Sequence, residues 1–217
     1  MSIQRSFAQR GSAKLGCAIA AGVVVLLVLI VGMMLVGRYN GLVGLQEKTE
    51  AAWSEIDNQY KRRFDLIPQL VNTVKGAADF EKSTLEAVTE ARASVGRAQL
   101  PSGLPSDPAQ LQSYIQAQQG LSSALGRLFV VVERYPDIKA NQNFLALQDQ
   151  LEGTENRIAV ARRDYIDAVR QYNTARRRFP TNFIAGMFGF DAVPQLQIDE
   201  GQRETPQVDF GGGDSDG

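Results

Sequence analysis

Histidine is absent from this 217-residue chain. Its absence excludes Ser-His-Asp and Cys-His catalytic pairs and leaves only rarer arrangements such as Ser-Lys. It also removes the usual zinc ligands and the Glu-x-x-His pairs that build di-metal carboxylate sites in helical bundles. Cysteine occurs once, at Cys17. No disulfide can form within one chain, so cysteine usage does not report the redox compartment. No glycine-rich loop precedes a Lys-Ser or Lys-Thr pair, and Gly211-Gly212-Gly213 has no strand or helix pattern around it. Positive charge is not in excess either. Beyond Gly37 there are 20 Lys+Arg against 24 Asp+Glu, a formal charge of −4. That balance gives no reason to expect nucleic acid as a partner. No internal repeat at solenoid periods is visible.

What is present begins with an apolar run. Residues 1–14 form a polar, basic tail carrying Arg5, Arg10 and Lys14. Leu15 to Val36 then holds no charged or strongly polar side chain. As a helix that segment reaches roughly 33 Å, enough to cross a hydrocarbon core of about 30 Å. A cleaved signal peptide would be shorter and would end in small residues, whereas this run ends in Gly37-Arg38-Tyr39-Asn40. A buried core helix rarely stays apolar for so long. A lipoprotein signal would place Cys17 after the apolar run, not at its start. The expectation is an uncleaved spanning helix, with the lipid bilayer as partner through Leu15 to Val36. Three basic residues precede it, and Arg38 and Lys48 follow closely. Counted by Lys and Arg, this slight bias puts the N-terminus in the cytoplasm and the bulk of the chain outside it.

The remainder reads as helix. Leu42, Thr49, Trp53, Ile56, Tyr60 and Ile67 step by threes and fours and share a face. Pro68 is expected to bend or restart that helix. Leu70, Val74, Leu85, Val88 and Val95 continue a looser stripe toward Leu100. Pro101 to Pro108 reads as a loop, closed by an Asp107 cap and Pro108 in the first helical position. A further helix runs to about Tyr135 on Leu111, Tyr114, Leu121, Leu125, Leu128 and Val132, with Gln118 filling the one gap in the heptad. The clearest stripe comes last. Phe144, Leu151, Ile158, Tyr165 and Tyr172 fall seven apart, and Leu147, Thr154, Ala161, Ala168 and Ala175 fall seven apart, offset by three. Such an a/d heptad wants facing helices and a left-handed supercoil. Arg163 and Asp167 are spaced for an ion pair. Phe179-Pro180 ends the helix, and the apolar segment Asn182 to Phe190 is expected either to fold onto the bundle end or to touch the membrane surface. From Asp191 the tail is acidic and glycine-rich and reads as extended or disordered. The fold class expected is therefore all-α, with one spanning helix (15–36) and an antiparallel bundle of three or four long helices (38–190) ahead of a flexible tail (191–217).

Ordered motifs accompany this pattern. They include Tyr39-Asn40-Gly41-Leu42-Val43, Ala52-Trp53-Ser54-Glu55-Ile56-Asp57 and Lys61-Arg62-Arg63-Phe64-Asp65-Leu66-Ile67-Pro68. Further on come Glu133-Arg134-Tyr135-Pro136, Leu151-Glu152-Gly153-Thr154-Glu155-Asn156-Arg157-Ile158, Arg162-Arg163-Asp164-Tyr165 and Val208-Asp209-Phe210. Together they resemble the LemA family of bacterial membrane proteins, over roughly Tyr39 to Phe190. The resemblance implies a single N-terminal span and a long antiparallel bundle, and it points toward membrane organisation. It brings no established activity or catalytic residues.

Two clusters are the candidate interaction surface. Lys61-Arg62-Arg63 is a basic run that can meet anionic headgroups or an acidic partner. Paired with Asp57 and Asp65, it reads more simply as a solvated face. Tyr135, Pro136, Asp137 and Lys139 form a turn at a bundle end, a natural docking surface, which also reads simply as a helix stop. No cofactor, metal or small-molecule substrate is expected. The leading expectation is a non-enzymatic, membrane-anchored interaction or scaffold protein with a protein partner or copies of itself. The alternatives are a self-assembling membrane-organising protein and an accessory subunit of a membrane enzyme that uses carboxylates on the bundle.

Overall fold

A computed structural model describes residues 6–76, 80–98 and 103–196, with side chains from residue 19 onward. It contains six helices and, among the described residues, no strand. Helix α1 (Ser6–Lys75) runs without a break from the apolar segment deep into the folded domain. Its side chains from Ile19 to Val36 are exposed all round, Leu26, Leu29 and Val36 among them. A helix apolar on every face and packed against nothing is built for lipid. Cys17 lies outside the residues with described side chains.

Pro68 does not interrupt α1. Proline lacks the N–H that would bond the carbonyl four residues earlier, here that of Phe64. The Arg92 side chain supplies the missing donor, its Nε 3.2 Å from the Phe64 carbonyl oxygen. The same guanidinium lies 3.7 Å from the Phe64 ring centroid. The chain breaks instead after Lys75, before α2 (Lys82–Arg97).

Beyond the loop, Asp107 accepts from the Ala109 N–H at 2.8 Å and Pro108 opens α3 (Pro108–Val132). A single turn, α4 (Pro136–Lys139), leads to α5 (Gln142–Arg177), which is capped by Asn141. The short α6 (Thr181–Phe188) closes the helical part. Side-chain pairs give the directions. Moving outward along α1, Lys48 meets Gln171 and Gln59 meets Arg157, so α5 runs antiparallel to α1. Trp53 stacks near Tyr114 and Arg63 reaches Ser122, so α3 runs parallel to α1. Glu81 pairs with Arg134, which sets α2 antiparallel to α3. The result is an up-down-up-down bundle.

The heptads do the packing. Nine of the ten a/d positions read in α5 are buried, and the tenth, Ala175, is half-buried. Thr49 and Thr154 sit in the core because their hydroxyls donate to the Leu45 and Gln150 carbonyls, at 2.8 and 2.7 Å. Two apolar clusters result. The membrane-proximal one holds Leu42, Trp53, Tyr60, Tyr114, Tyr165 and Tyr172, and the distal one holds Leu70, Val88, Leu121, Leu128, Phe144 and Leu151.

After α6 the chain turns at Gly189 (φ 72°), a left-handed conformation that glycine adopts without strain. Asp191 to Leu196 then runs extended along α5 instead of leaving the domain. Phe190, Val193 and Leu196 are buried. The Tyr172 and Tyr165 hydroxyls donate to the carbonyls of Asp191 (2.9 Å) and Pro194 (3.2 Å). Asn173 both donates to and accepts from Val193, at 2.7 and 3.1 Å. The expected flexible tail thus begins with a strap that is pinned down, and the rest of it (197–217) lies outside the described residues. The expected Arg163–Asp167 pair does not form. Arg163 turns to the Ala159 carbonyl, and Asp167 takes Arg170 one turn away at 2.7 Å.

Candidate functional site

The basic run on α1 divides when it folds. Lys61 and Arg62 are exposed, whereas Arg63 is 1% exposed. Arg63 therefore is not part of the solvated face that its neighbours suggest. The reason is helical register. Residues 42, 49, 56, 63 and 70 fall every seven along α1, and the first three and the last are all buried. Position 63 has to point inward with them.

A buried guanidinium needs acceptors. Arg63 Nη1 donates to Ser122 Oγ at 2.6 Å and to the Glu155 carboxylate. Nη2 donates to the Gln118 carbonyl at 3.2 Å and to its side-chain oxygen. The Tyr60 ring centroid lies 5.2 Å from the guanidinium carbon. Ser122 Oγ and Glu155 Oε1 are 3.3 Å apart and close the ring of contacts. Only Nε finds no acceptor. Gln118 is the polar gap in the α3 heptad, and Glu155 follows Thr154, the polar core position of α5. The polar interruptions of α1 and α3 thus face each other at one level, and Arg63 joins α1, α3 and, through Glu155, α5 there.

Grooves flank this node on both sides. One, of about 450 Å³, lies between α3 and α5 and is lined by Ser122, Gly126, Phe129, Leu151, Glu155 and Asn156. The other, about 330 Å³, is bordered by Asp57, Tyr60, Lys61, Tyr114 and Gln118. Lys61 therefore borders a groove, though no Asp57–Lys61 ion pair forms among the described residues. Burial raises the Tyr60 pKa against the opposing pull of Arg162 and Arg63, and it raises that of Tyr114 with help from Asp57. Deeper in the proximal cluster, burial raises Tyr165 and Tyr172 as well. Chemically the node is a charged cross-link between helices, with its carboxylate reaching solvent: the Glu155 side chain is 41% exposed.

The second predicted cluster lies elsewhere. Tyr135, Pro136, Asp137 and Lys139 sit at the distal end of the bundle, about 18 Å beyond Arg63 by the rise of α1 to Lys75. Ile138 plugs the turn into the core. Lys139 pairs with Glu133 at 2.5 Å, and the Tyr135 ring lies 4.9 Å from Phe80. Pro136, Asp137 and Lys139 are exposed. The structure does not bring this turn and the basic run into one site. It presents the turn at the tip and splits the run between a groove edge and the core. Among the described residues there is no cluster of three or more metal-ligating side chains.

Comparison with known proteins agrees with this architecture. The family model described as "LemA family" matches residues 52–210. Magnetosome protein MamQ 2 of Paramagnetospirillum magneticum is 29% identical over 187 residues, covering 79% of this chain and 68% of that one. MamQ of Magnetospirillum gryphiswaldense is 26% identical over 172 residues, covering 72% of this chain and 63% of that one. Protein LemA of Metamycoplasma hominis is 28% identical over 168 residues, covering 77% and 73%.

Proposed function

The chain belongs to the LemA family, and from that premise we propose that it is a non-enzymatic scaffold of the bacterial inner membrane that holds a docking surface at a fixed height above the bilayer. One observation carries this reading. Helix α1 is continuous from the lipid-facing segment to Lys75, so the bundle is a rigid extension of its anchor. From Tyr39 to Lys75 that extension measures roughly 54 Å. The tip then offers Tyr135, Pro136, Asp137 and Lys139 to a protein partner, and Lys61 and Arg62 offer positive charge along the side. The basic N-terminal tail stays in the cytoplasm and the bundle lies outside it.

In-cell crosslinking of the full-length chain, followed by mass spectrometry, tests the scaffold role. One reproducible membrane-protein partner, with links at residues 135–139, is expected. Capture of nothing beyond neighbours picked up equally by an unrelated single-span protein overturns it. Orientation has its own check. Asp137→Cys in a Cys17→Ser background is expected to react with a membrane-impermeant maleimide in cells whose outer layer has been permeabilised. Labelling only after lysis reverses the topology.

A second reading, self-assembly that organises the membrane, draws on the names of the MamQ relatives, which are magnetosome proteins. Crosslinks only between copies of this chain favour it over the first.

A further inference from the structure

Helix α6 carries an unusual surface for a segment outside the span. Its sequence, Thr181-Asn-Phe-Ile-Ala-Gly-Met-Phe188, has no charge. Thr181, Ile184 and Ala185 face the bundle and are buried. The outward side is apolar too. Phe179 is 80% exposed, Phe183 65%, Met187 78% and Phe188 59%. Phe183 and Met187 are four apart on α6 and share a face, and the Phe179 ring, in the turn just before the helix, lies 5.9 Å from that of Phe183. Water would be a poor neighbour for so much contiguous apolar area.

Its position says what the neighbour is. The Phe188 ring lies 4.9 Å from Tyr39, edge to face, and Phe190 lies 5.6 Å from the same ring. Between α6 and α1 is an apolar crevice of about 630 Å³. Leu35 and Val36, the last residues of the apolar span, form one wall, and Phe179, Phe183 and Met187 contribute to the other. The crevice is thus continuous with the surface that α1 presents to hydrocarbon. Two exposed arginines adjoin its walls along the chain, Arg38 next to Tyr39 and Arg178 next to Phe179, and neither is in an ion pair among the described residues. Aromatic side chains with cationic neighbours at the end of a span match the chemistry of the bilayer interface.

We propose that α6 is a second membrane contact: an in-plane helix sunk into the interface beside the span, with the crevice holding the acyl chain of an anionic phospholipid and Arg38 and Arg178 meeting its headgroup. This goes beyond the scaffold role and stands whether or not the distal tip has a partner. It gives the bundle two points of attachment to the bilayer.

Tryptophan quenching in the reconstituted full-length chain tests it. Phe183→Trp is made in a Trp53→Phe background. The vesicles are phosphatidylcholine with phosphatidylglycerol, one of the two brominated on its acyl chains. Two controls share the preparation. The native Trp53 is 4% exposed and buried in the bundle, and Val130→Trp replaces a residue 72% exposed on α3. Brominated lipid is expected to quench the tryptophan at 183 several-fold more than either control. Quenching no greater than at position 130 overturns the proposal. So do 183-to-183 crosslinks without quenching, which would make a second copy the occupant. Stronger quenching is expected from brominated phosphatidylglycerol than from brominated phosphatidylcholine at equal mole fraction, and Arg38→Gln with Arg178→Gln is expected to erase the difference. Equal quenching from the start overturns the headgroup assignment.

Discussion

The two halves of the bundle are built from different materials. The membrane-proximal half packs Trp53, Tyr60, Tyr114, Tyr165 and Tyr172, and closes with the strap of Asp191 to Leu196. The distal half packs Leu, Val and Ile from α1, α2, α3 and α5 with Phe144. Arg63 lies at the level between them, after Tyr60 and before Leu66. In the distal half, branched aliphatics interdigitate and need no polar partner. In the proximal half α1, α5 and the start of α3 are joined only by the short α6 and the strap, so large rings fill the space. The Tyr165 and Tyr172 hydroxyls must then find acceptors, and the backbone carbonyls of the strap supply them. An aliphatic core closes on itself, whereas an aromatic core recruits an extra segment of chain.

Large-to-small substitution should separate the halves most strongly. Leu128→Ala removes a side chain with 0% exposure from the distal core. It should cost about 2–5 kcal/mol, read by denaturant unfolding in detergent micelles. A cost below about 1 kcal/mol would mean that the distal half collapses around cavities and is not tightly packed. Next comes the boundary. Glu155→Gln leaves the buried guanidinium without its counter-charge and should cost about 2–4 kcal/mol, a little under the range for a fully buried pair because Glu155 reaches water. Arg63→Met should cost markedly less, since it removes charge and partner demand together. Equal losses from the two would show that shape, not charge, holds this level of the bundle.

A smaller effect concerns Pro68. Arg92→Ala removes the donor to the Phe64 carbonyl and the contact with the Phe64 ring. About 1–2 kcal/mol should be lost. In a Pro68→Ala background the main-chain hydrogen bond is restored, and the same change should cost measurably less. An undiminished cost would assign the whole effect of Arg92 to its ring contact.

Alkali offers the finest discrimination. Tyr165 and Tyr172 have raised pKa values because burial disfavours the phenolate. The folded state therefore holds these protons more tightly than the unfolded chain. The stability they contribute is complete below the unfolded value of about 10 and is lost as pH rises above it, by roughly 1.4 kcal/mol for every tenfold difference in proton affinity between the folded and unfolded states. Hydrogen–deuterium exchange near pH 10.5 should show the strap and proximal half opening before the distal half. Tyr165→Phe should blunt that response, while removing about 1 kcal/mol at neutral pH with the lost hydrogen bond. Simultaneous opening of both halves would mean that they unfold as one cooperative whole.

Most of the fold was legible because its rule is periodic. The α5 heptad identifies its own core, and the Asp107–Pro108 start needs only local chemistry. Pro68 was not legible, because the donor that rescues the Phe64 carbonyl comes from a residue far along the chain. The pinned strap was missed for a related reason. Acidic, glycine-rich composition describes the tail as a whole, whereas its first residues bury Val193 and Leu196 and have the Asp191 and Pro194 carbonyls held by tyrosine hydroxyls on α5. Arg63 was misread for a different reason. Its two basic neighbours suggested a surface run, although its seven-residue spacing from Ile56 and Leu70 already put it inside. The candidate site was accordingly only partly readable. The residues of the distal turn stood out, but the node required the gaps in separate heptads to be matched to one another.

The unbroken passage of α1 through the membrane boundary has a mechanical consequence. With no hinge between span and bundle, α1 is a lever whose fulcrum is the interface. A spanning helix adjusts its tilt to the thickness of the surrounding bilayer. If the tilt changes by about 10°, a stiff arm of roughly 54 Å carries the tip sideways by roughly 9 Å. A thinner or thicker membrane would thereby shift where the distal turn stands, with no rearrangement inside the bundle.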